Sequence, residues 1–167
     1  MYQGVFWKML LILPASIGHE CASSGQINVT FDDLPPITLN APLPSSDYSN
    51  LIWTNAHYIY RRCLLCPNLG YPILCTSGDY VGWFQGNQML TIQPELGCTT
   101  FTFISVLMIA SRRNEVTLIE GYYNNTRLYR QTLSLTKTSK YLFEPGWSNI
   151  DKITMVVPGG QNIFDDT

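Results

Sequence analysis

Residues 115–135 read Glu115-Val116-Thr117-Leu118-Ile119-Glu120-Gly121-Tyr122-Tyr123-Asn124-Asn125-Thr126-Arg127-Leu128-Tyr129-Arg130-Gln131-Thr132-Leu133-Ser134-Leu135. Two alternating segments, 115–123 and 127–135, flank an Asn-Asn pair. Asparagine tolerates positive φ, which a two-residue hairpin turn demands. Val116 and Leu118 on the first segment, and Leu128, Leu133 and Leu135 on the second, give each an apolar face. The stretch therefore reads as an antiparallel hairpin. Tyr122 and Tyr123 are consecutive, and neighbouring strand residues point to opposite faces. One of the two is expected to be exposed, with Asn124 beside it.

Similar patterns recur on both sides. Ile27, Val29 and Phe31 alternate with polar residues, and further strand candidates fall at 51–59, 80–85, 88–92, 100–110, 140–144 and 150–157, with a short one near Asn162. Gly86-Asn87 is a hairpin signal between Tyr80–Phe84 and Met89–Ile92, and Pro158-Gly159-Gly160 ends a strand. Four prolines within 34–50 predict a long loop with little regular structure. No helix-period run of ten residues survives the scattered Gly, Pro, Thr and Asn, and no repeat is present. About eight to ten short strands predict an all-β, single-domain antiparallel β-sandwich of jelly-roll type.

The composition agrees. Of 167 residues, 46% are hydrophobic, 13% aromatic and 13% charged. Low charge and abundant aromatics exclude a disordered chain and favour strands. Ten basic and twelve acidic residues give a net charge of −2, which offers no footprint for nucleic acid. Basic residues gather as Arg61-Arg62, Arg112-Arg113 and within 127–140; the adjacent pairs lie in apparent loops, and all read as solvated surface.

The start of the chain has the layout of a secretory leader. Lys8 precedes the apolar run Met9-Leu10-Leu11-Ile12-Leu13, and the small residues Ala15, Ser16 and Gly18 follow. Cleavage is expected after Gly18 or within Ala22-Ser23-Ser24, so residues 1–24 are taken as leader and short N-terminal segment and 25–167 as the domain. The run is far shorter than the ~20 residues of a membrane span, so no stable insertion is expected after cleavage. Phe101–Ala110 is also too short, and reads as a buried strand. Asn28-Val29-Thr30 and Asn124-Asn125-Thr126 are acceptors for N-glycosylation. In an oxidising compartment Cys63, Cys66, Cys75 and Cys98 most simply form two disulfides, whereas Cys21 lies near the cleavage points. A second Cys-x-x-Cys knuckle, which a zinc ribbon needs, is absent. Four cysteines allow three pairings. The expected one closes a loop with Cys66–Cys75 and ties it to the next strand with Cys63–Cys98.

The order of motifs resembles a family of small secreted β-sandwich domains found in fungi and in bacterial exported proteins. Their pattern runs T-F-D-D-L, G-L-x-W-x-N-F, V-T-V-x-G-Y, Y-x-x-T-V and G-[IV]-D-x-[IV]-x-F. Here the counterparts are Val29-Thr30-Phe31-Asp32-Asp33-Leu34-Pro35, Leu51-Ile52-Trp53-Thr54-Asn55, Val116–Tyr122, Leu128–Leu133 and Ile150–Thr154, with Phe164-Asp165-Asp166 at the close. The cysteine-bearing segment 61–75 and the missing glycines before Trp53 depart from that pattern. The resemblance implies a carbohydrate-binding or galactose-binding-type jelly roll.

Two acidic pairs, Asp32-Asp33 and Asp165-Asp166, would approach each other if the first and last strands pair, and their oxygens suit Ca²⁺. The plainer reading is that Asp32 caps the turn into Leu34-Pro35 and the other pair is solvated. No other cofactor is required. His57, in an alternating segment, has no partner motif for catalysis and reads as a surface or half-buried strand histidine. Exposed aromatics stack on sugar rings, and Tyr58, Trp83, Tyr122, Tyr123 and Asn124 are the candidate ligand-binding residues. Trp53 and Trp83, however, sit where a sandwich needs core filling. The expectation is a secreted, non-catalytic module that binds a glycan of a cell wall, matrix or host surface. The alternatives are an adhesive or effector protein that binds a protein partner, and, last, a hydrolase using two carboxylates.

Overall fold

A computed structural model describes residues 4–13, 25–37, 40–44, 48–60, 80–95, 100–111 and 113–158. The regular structure among them is β-strand throughout. The strands are β1 (Gly4–Leu13), β2 (Gly25–Val29), β3 (Asn40–Pro42), β4 (Leu51–Thr54), β5 (His57–Tyr60), β6 (Tyr80–Gln85) and β7 (Leu90–Pro94). There follow β8 (Phe101–Ala110), β9 (Glu115–Tyr123), β10 (Thr126–Leu135), β11 (Tyr141–Phe143), β12 (Trp147–Ile150) and β13 (Lys152–Val156). No helix among the described residues is long and apolar enough to cross a membrane.

Two antiparallel sheets result. The larger has eight strands in the order β11-β8-β1-β6-β5-β3, with β12 also on β8 and β2 also on β1. The smaller has five, in the order β10-β9-β13-β7-β4. Their inner faces share one hydrophobic core that draws Phe31, Phe84, Phe103 and Met108 together with Leu51, Trp53, Ile92, Ile119 and Ile153. Ile59, Val81, Trp83 and Ile109 are buried outside that core cluster. In β6 this makes Tyr80–Phe84 buried at every position, a pattern that fits a strand covered on both faces.

The hairpin 115–135 forms around Asn124 (φ 47°) and Asn125 (φ 60°), as the Asn-Asn pair predicts. Leu133 and Leu135 are buried as expected, but on β9 the buried face is not the expected one. Val116 and Leu128 are exposed, and Thr117, Ile119 and Gly121 turn inward with Leu133 and Leu135. Apolar residues on β9 stand on both sides, so alternation alone left the choice to tertiary packing. Gly121 explains the outcome. A Cβ there would lie 3.0 Å from Trp147 and 3.2 Å from Tyr129, so only glycine leaves room for the aromatic pair above it.

Positive-φ asparagines also mark the crossings between sheets. Asn55 (φ 60°) divides the expected strand 51–59 into β4 of the small sheet and β5 of the large one. Gly86-Asn87 does form a turn, with Gln88 N–H donating to Gln85 O at 3.0 Å. It is not a hairpin, however, because β6 and β7 belong to different sheets. The Asn55 side-chain amide donates to Met89 O at 2.9 Å, which ties the two crossings together. Asn149 (φ 56°) similarly precedes the passage from β12 to β13, a break that the single expected strand 150–157 did not contain. Within the proline-rich stretch, β3 pairs with β5 at the sheet edge, where Pro42 is tolerated.

Residues 4–13, within the segment 1–24 expected to be a leader, form instead the ten-residue strand β1 between β8 and β6. The cysteines Cys21, Cys63, Cys66, Cys75 and Cys98, the acidic pair Asp165-Asp166 and the short strand near Asn162 lie outside the described residues.

Candidate functional site

The five-stranded sheet turns one face to the core and the other outward. Trp53, Ile92, Ile153, Gly121 and Tyr129 form an inward row, in register across β4, β7, β13, β9 and β10. One residue along each strand side chains point the other way. The neighbouring row is Thr54–Thr91–Thr154–Glu120, continued on β10 by Arg130. A second outward row holds Lys152, Tyr122 and Arg127 side by side. Five strands at their usual separation span ~19 Å, enough for several sugar rings.

Glu120 is the centre of this face. The Tyr122 hydroxyl donates to its Oε2 at 2.7 Å, and Arg127 Nη1 meets its Oε1 at 2.9 Å. Arg130 Nε stands 3.6 Å from the same oxygen. Burial pushes the Glu120 carboxyl upward, but the hydrogen bonds from Tyr122 and Arg127 and the charges of both arginines outweigh it. Its pKa is therefore lowered, and the group is held ionised. Tyr122 is shifted the other way: its bond to Glu120 comes first, then burial, and together they raise its pKa, opposed by a hydrogen bond with Thr154. Lys152 Nζ lies 4.8 Å from the centre of the Tyr122 ring and donates to Asn125 Oδ1 at 2.9 Å. Asn124 N–H donates to Asp151 Oδ2 at 2.6 Å, which locks the hairpin tip against the start of β13.

The other side of the hairpin is closed by aromatics. Tyr129 stacks on Trp147 at 5.2 Å between ring centres and 8° between planes, and Phe103 and Phe143 meet Trp147 edge-on. This cluster joins β10 of one sheet to β8, β11 and β12 of the other.

Of the expected ligand-binding residues, Tyr122, Tyr123 and Asn124 come together at the hairpin tip. Tyr122 is half-buried on the outward face and Tyr123 is 48% exposed, so one of the pair is indeed out in solvent. Tyr58 and Trp83 are elsewhere, in the large sheet. Tyr58, only 4% exposed, belongs to the core and donates to Pro35 O at 3.0 Å. Trp83, 7% exposed, stacks against half-buried His57 at 5.2 Å. Neither contributes to an exposed platform, because both fill space that the fold needs.

Asp32 and Asp33 serve the fold. Asp32 Oδ1 accepts from Tyr80 N–H at 3.2 Å, and Asp33 Oδ1 accepts from the Tyr48 hydroxyl at 2.8 Å. Among the described residues no group of three or more His, Cys, Asp or Glu stands together to hold a metal. The sequon asparagines Asn28, in β2, and Asn124, in the turn, are both exposed.

Sequence reasoning missed Glu120, Arg127, Arg130, Lys152 and the threonine row. Part of the signal was present, since the Asn-Asn turn sets Thr126 opposite Tyr123 and Arg127 opposite Tyr122. A bulge between Arg127 and Tyr129 then shifts the register and brings Arg130 opposite Glu120. No residue type announces that bulge.

No family model matches the chain, and neither do any curated protein or solved structure.

Proposed function

We propose that the chain is an exported, non-catalytic glycan-binding module, a two-sheet jelly roll stapled by disulfides, and that its ligand lies on the outward face of the five-stranded sheet. The observation that carries this reading is the in-register row in which Thr54, Thr91, Glu120 and Arg130 line the face beside Tyr122, with Thr154, 7% exposed, bonded to Tyr122 between them. Hydroxyl, carboxylate and guanidinium groups fixed on rigid strands are the donors and acceptors that sugar hydroxyls require. Glu120, Tyr122, Arg127 and Arg130 hold one another, so little of their side-chain entropy is lost on binding. Export is supported by the two exposed sequons, and membership of the secreted β-sandwich family by the motif order.

Glu120 is a poor general acid, because its lowered pKa keeps it ionised and ion-paired, the reverse of the raised value that protonation of a leaving group needs. A second reading, a protein partner, is favoured by one observation. Tyr141 and Leu142 on edge strand β11 are 43% and 54% exposed.

The test is a pull-down of the secreted protein on chitin, β-glucan, cellulose and xylan, with Ca²⁺ and with EDTA. Binding to one matrix without released sugar is expected, and Thr91→Val and Tyr122→Phe should weaken it. Loss in EDTA would implicate calcium. Binding to no polysaccharide, neutral or acidic, would move the account to the protein partner, and released sugar would reveal a hydrolase.

A further inference from the structure

Three of the chain's ten basic residues, Arg127, Arg130 and Lys152, stand on the outward face of the small sheet, although the chain as a whole is acidic at −2. We infer that the ligand of this face is an anionic polysaccharide, one that carries carboxylate or sulfate groups, a step that rests on the glycan-binding reading above. Lys152 and Arg127 flank Tyr122 in one cross-strand row, so two cations border a single aromatic ring. Glu120 neutralises only part of this charge. It takes one guanidinium nitrogen from each arginine, whose side chains remain 49% and 55% exposed. A guanidinium offers five N–H donors in a planar fork, so each arginine keeps donors for a carboxylate or sulfate. Asp151, which precedes Lys152 in the chain, is engaged by Asn124 N–H at the tip. The outward positions on β4 and β7, Thr54, Thr91 and Gln93, are uncharged. The geometry thus combines the hydroxyls of Thr54 and Thr91 for the sugar's hydroxyls with the cations around Tyr122 for its acid group.

The experiment is titration calorimetry with matched polymers: polygalacturonate against its methyl ester, dextran sulfate against dextran, and polyglutamate as an acidic peptide. The charged sugar polymer of at least one pair should bind more than about tenfold tighter than its neutral partner, and weaken as salt is added. Preference for the galacturonate or for the sulfate identifies which acid group is read. Arg127→Gln and Lys152→Gln should each lose about tenfold, and Lys137→Gln/Lys140→Gln, outside the face, should lose little. Thermal unfolding checks that each variant folds; if Arg127→Gln does not, Lys152→Gln and Arg130→Gln carry the test. Equal binding to charged and neutral polymers overturns the inference and leaves the glycan-binding reading intact. Equal losses in the Lys137/Lys140 variant also overturn it, because attraction is then unspecific. Binding to polyglutamate alone overturns both, and binding to none of these polymers overturns the inference, the pull-down then deciding the glycan-binding reading.

Discussion

Tyr48 shows how one side chain sustains a strained turn. Phe31 is fully buried at φ 67°, a conformation that costs a non-glycine residue about 1–2 kcal/mol. Its N–H donates to the Tyr48 hydroxyl at 3.0 Å, that hydroxyl donates to Asp33, and the Trp53 indole N–H donates to Tyr48 O at 2.9 Å. Burial, and then the bond to Asp33, raise the Tyr48 pKa well above the usual tyrosine range. Tyr48→Phe removes the hydroxyl that joins Phe31 N–H to Asp33 and should cost about 1–3 kcal/mol, read from urea unfolding. An unchanged midpoint would mean that the hydroxyl is dispensable. Glu115 gives a pH signature. It is 6% exposed, and burial raises its pKa above 4.5 despite the charge of Arg113 at 3.5 Å. The native state therefore holds this proton more tightly than the unfolded chain, and stability falls as pH rises from about 4.5 through the raised value. Glu115→Gln should match the parent near pH 4 and be the more stable near pH 7. Glu120 acts in the opposite sense, since its lowered pKa gives stability that is lost as pH falls below about 4.5. Thermal midpoints of parent and both Gln variants across this range separate the two.

At the scale of elements, the strands were readable where one face is plainly apolar or where Asn supplies positive φ. Strands β6 and β9 lie at the expected bounds, and β8, β10 and β13 within a residue or two. What escaped was set by partners distant in sequence. Sequence alternation does not say whether Gly86-Asn87 returns a strand to its neighbour or carries it to the other sheet. It also does not say that Gly121, Thr117 and Glu115 face inward, because that depends on Trp147 and Tyr129 needing the space over Gly121. Gly121→Ala should cost about 1–3 kcal/mol by overpacking, and Trp147→Phe should recover part of it in the double variant. Additive losses would contradict the contact. β1 pairs with β2, β6 and β8. A chain begun at Gly25 leaves the facing edges of β8 and β6 without that partner, about 10 Å apart. Its thermal midpoint should drop by at least about 10 °C relative to the full chain, and an equal midpoint would mean that the sheet forms without β1.

For the whole molecule, composition and alternation sufficed for the class of fold, two antiparallel sheets on one aromatic-rich core. The candidate site was half legible. Tyr122, Tyr123 and Asn124 follow from the hairpin alone, whereas Tyr58 and Trp83 were drawn into the large sheet by the need to fill it. The face itself depends on register across five strands whose row runs from Thr54 to Thr154 in the chain, and no local pattern encodes that. The central claim is that this face, and not the exposed edge at Tyr141 and Leu142, binds a glycan. The most direct measurement is an NMR titration of the ¹⁵N-labelled protein with oligosaccharides from whichever polysaccharide retains it in the pull-down. Shifts confined to Thr54, Thr91, Glu120, Tyr122, Arg130 and Lys152 are the predicted result. Shifts at β11 with this face silent, or no shifts at all, would contradict the account.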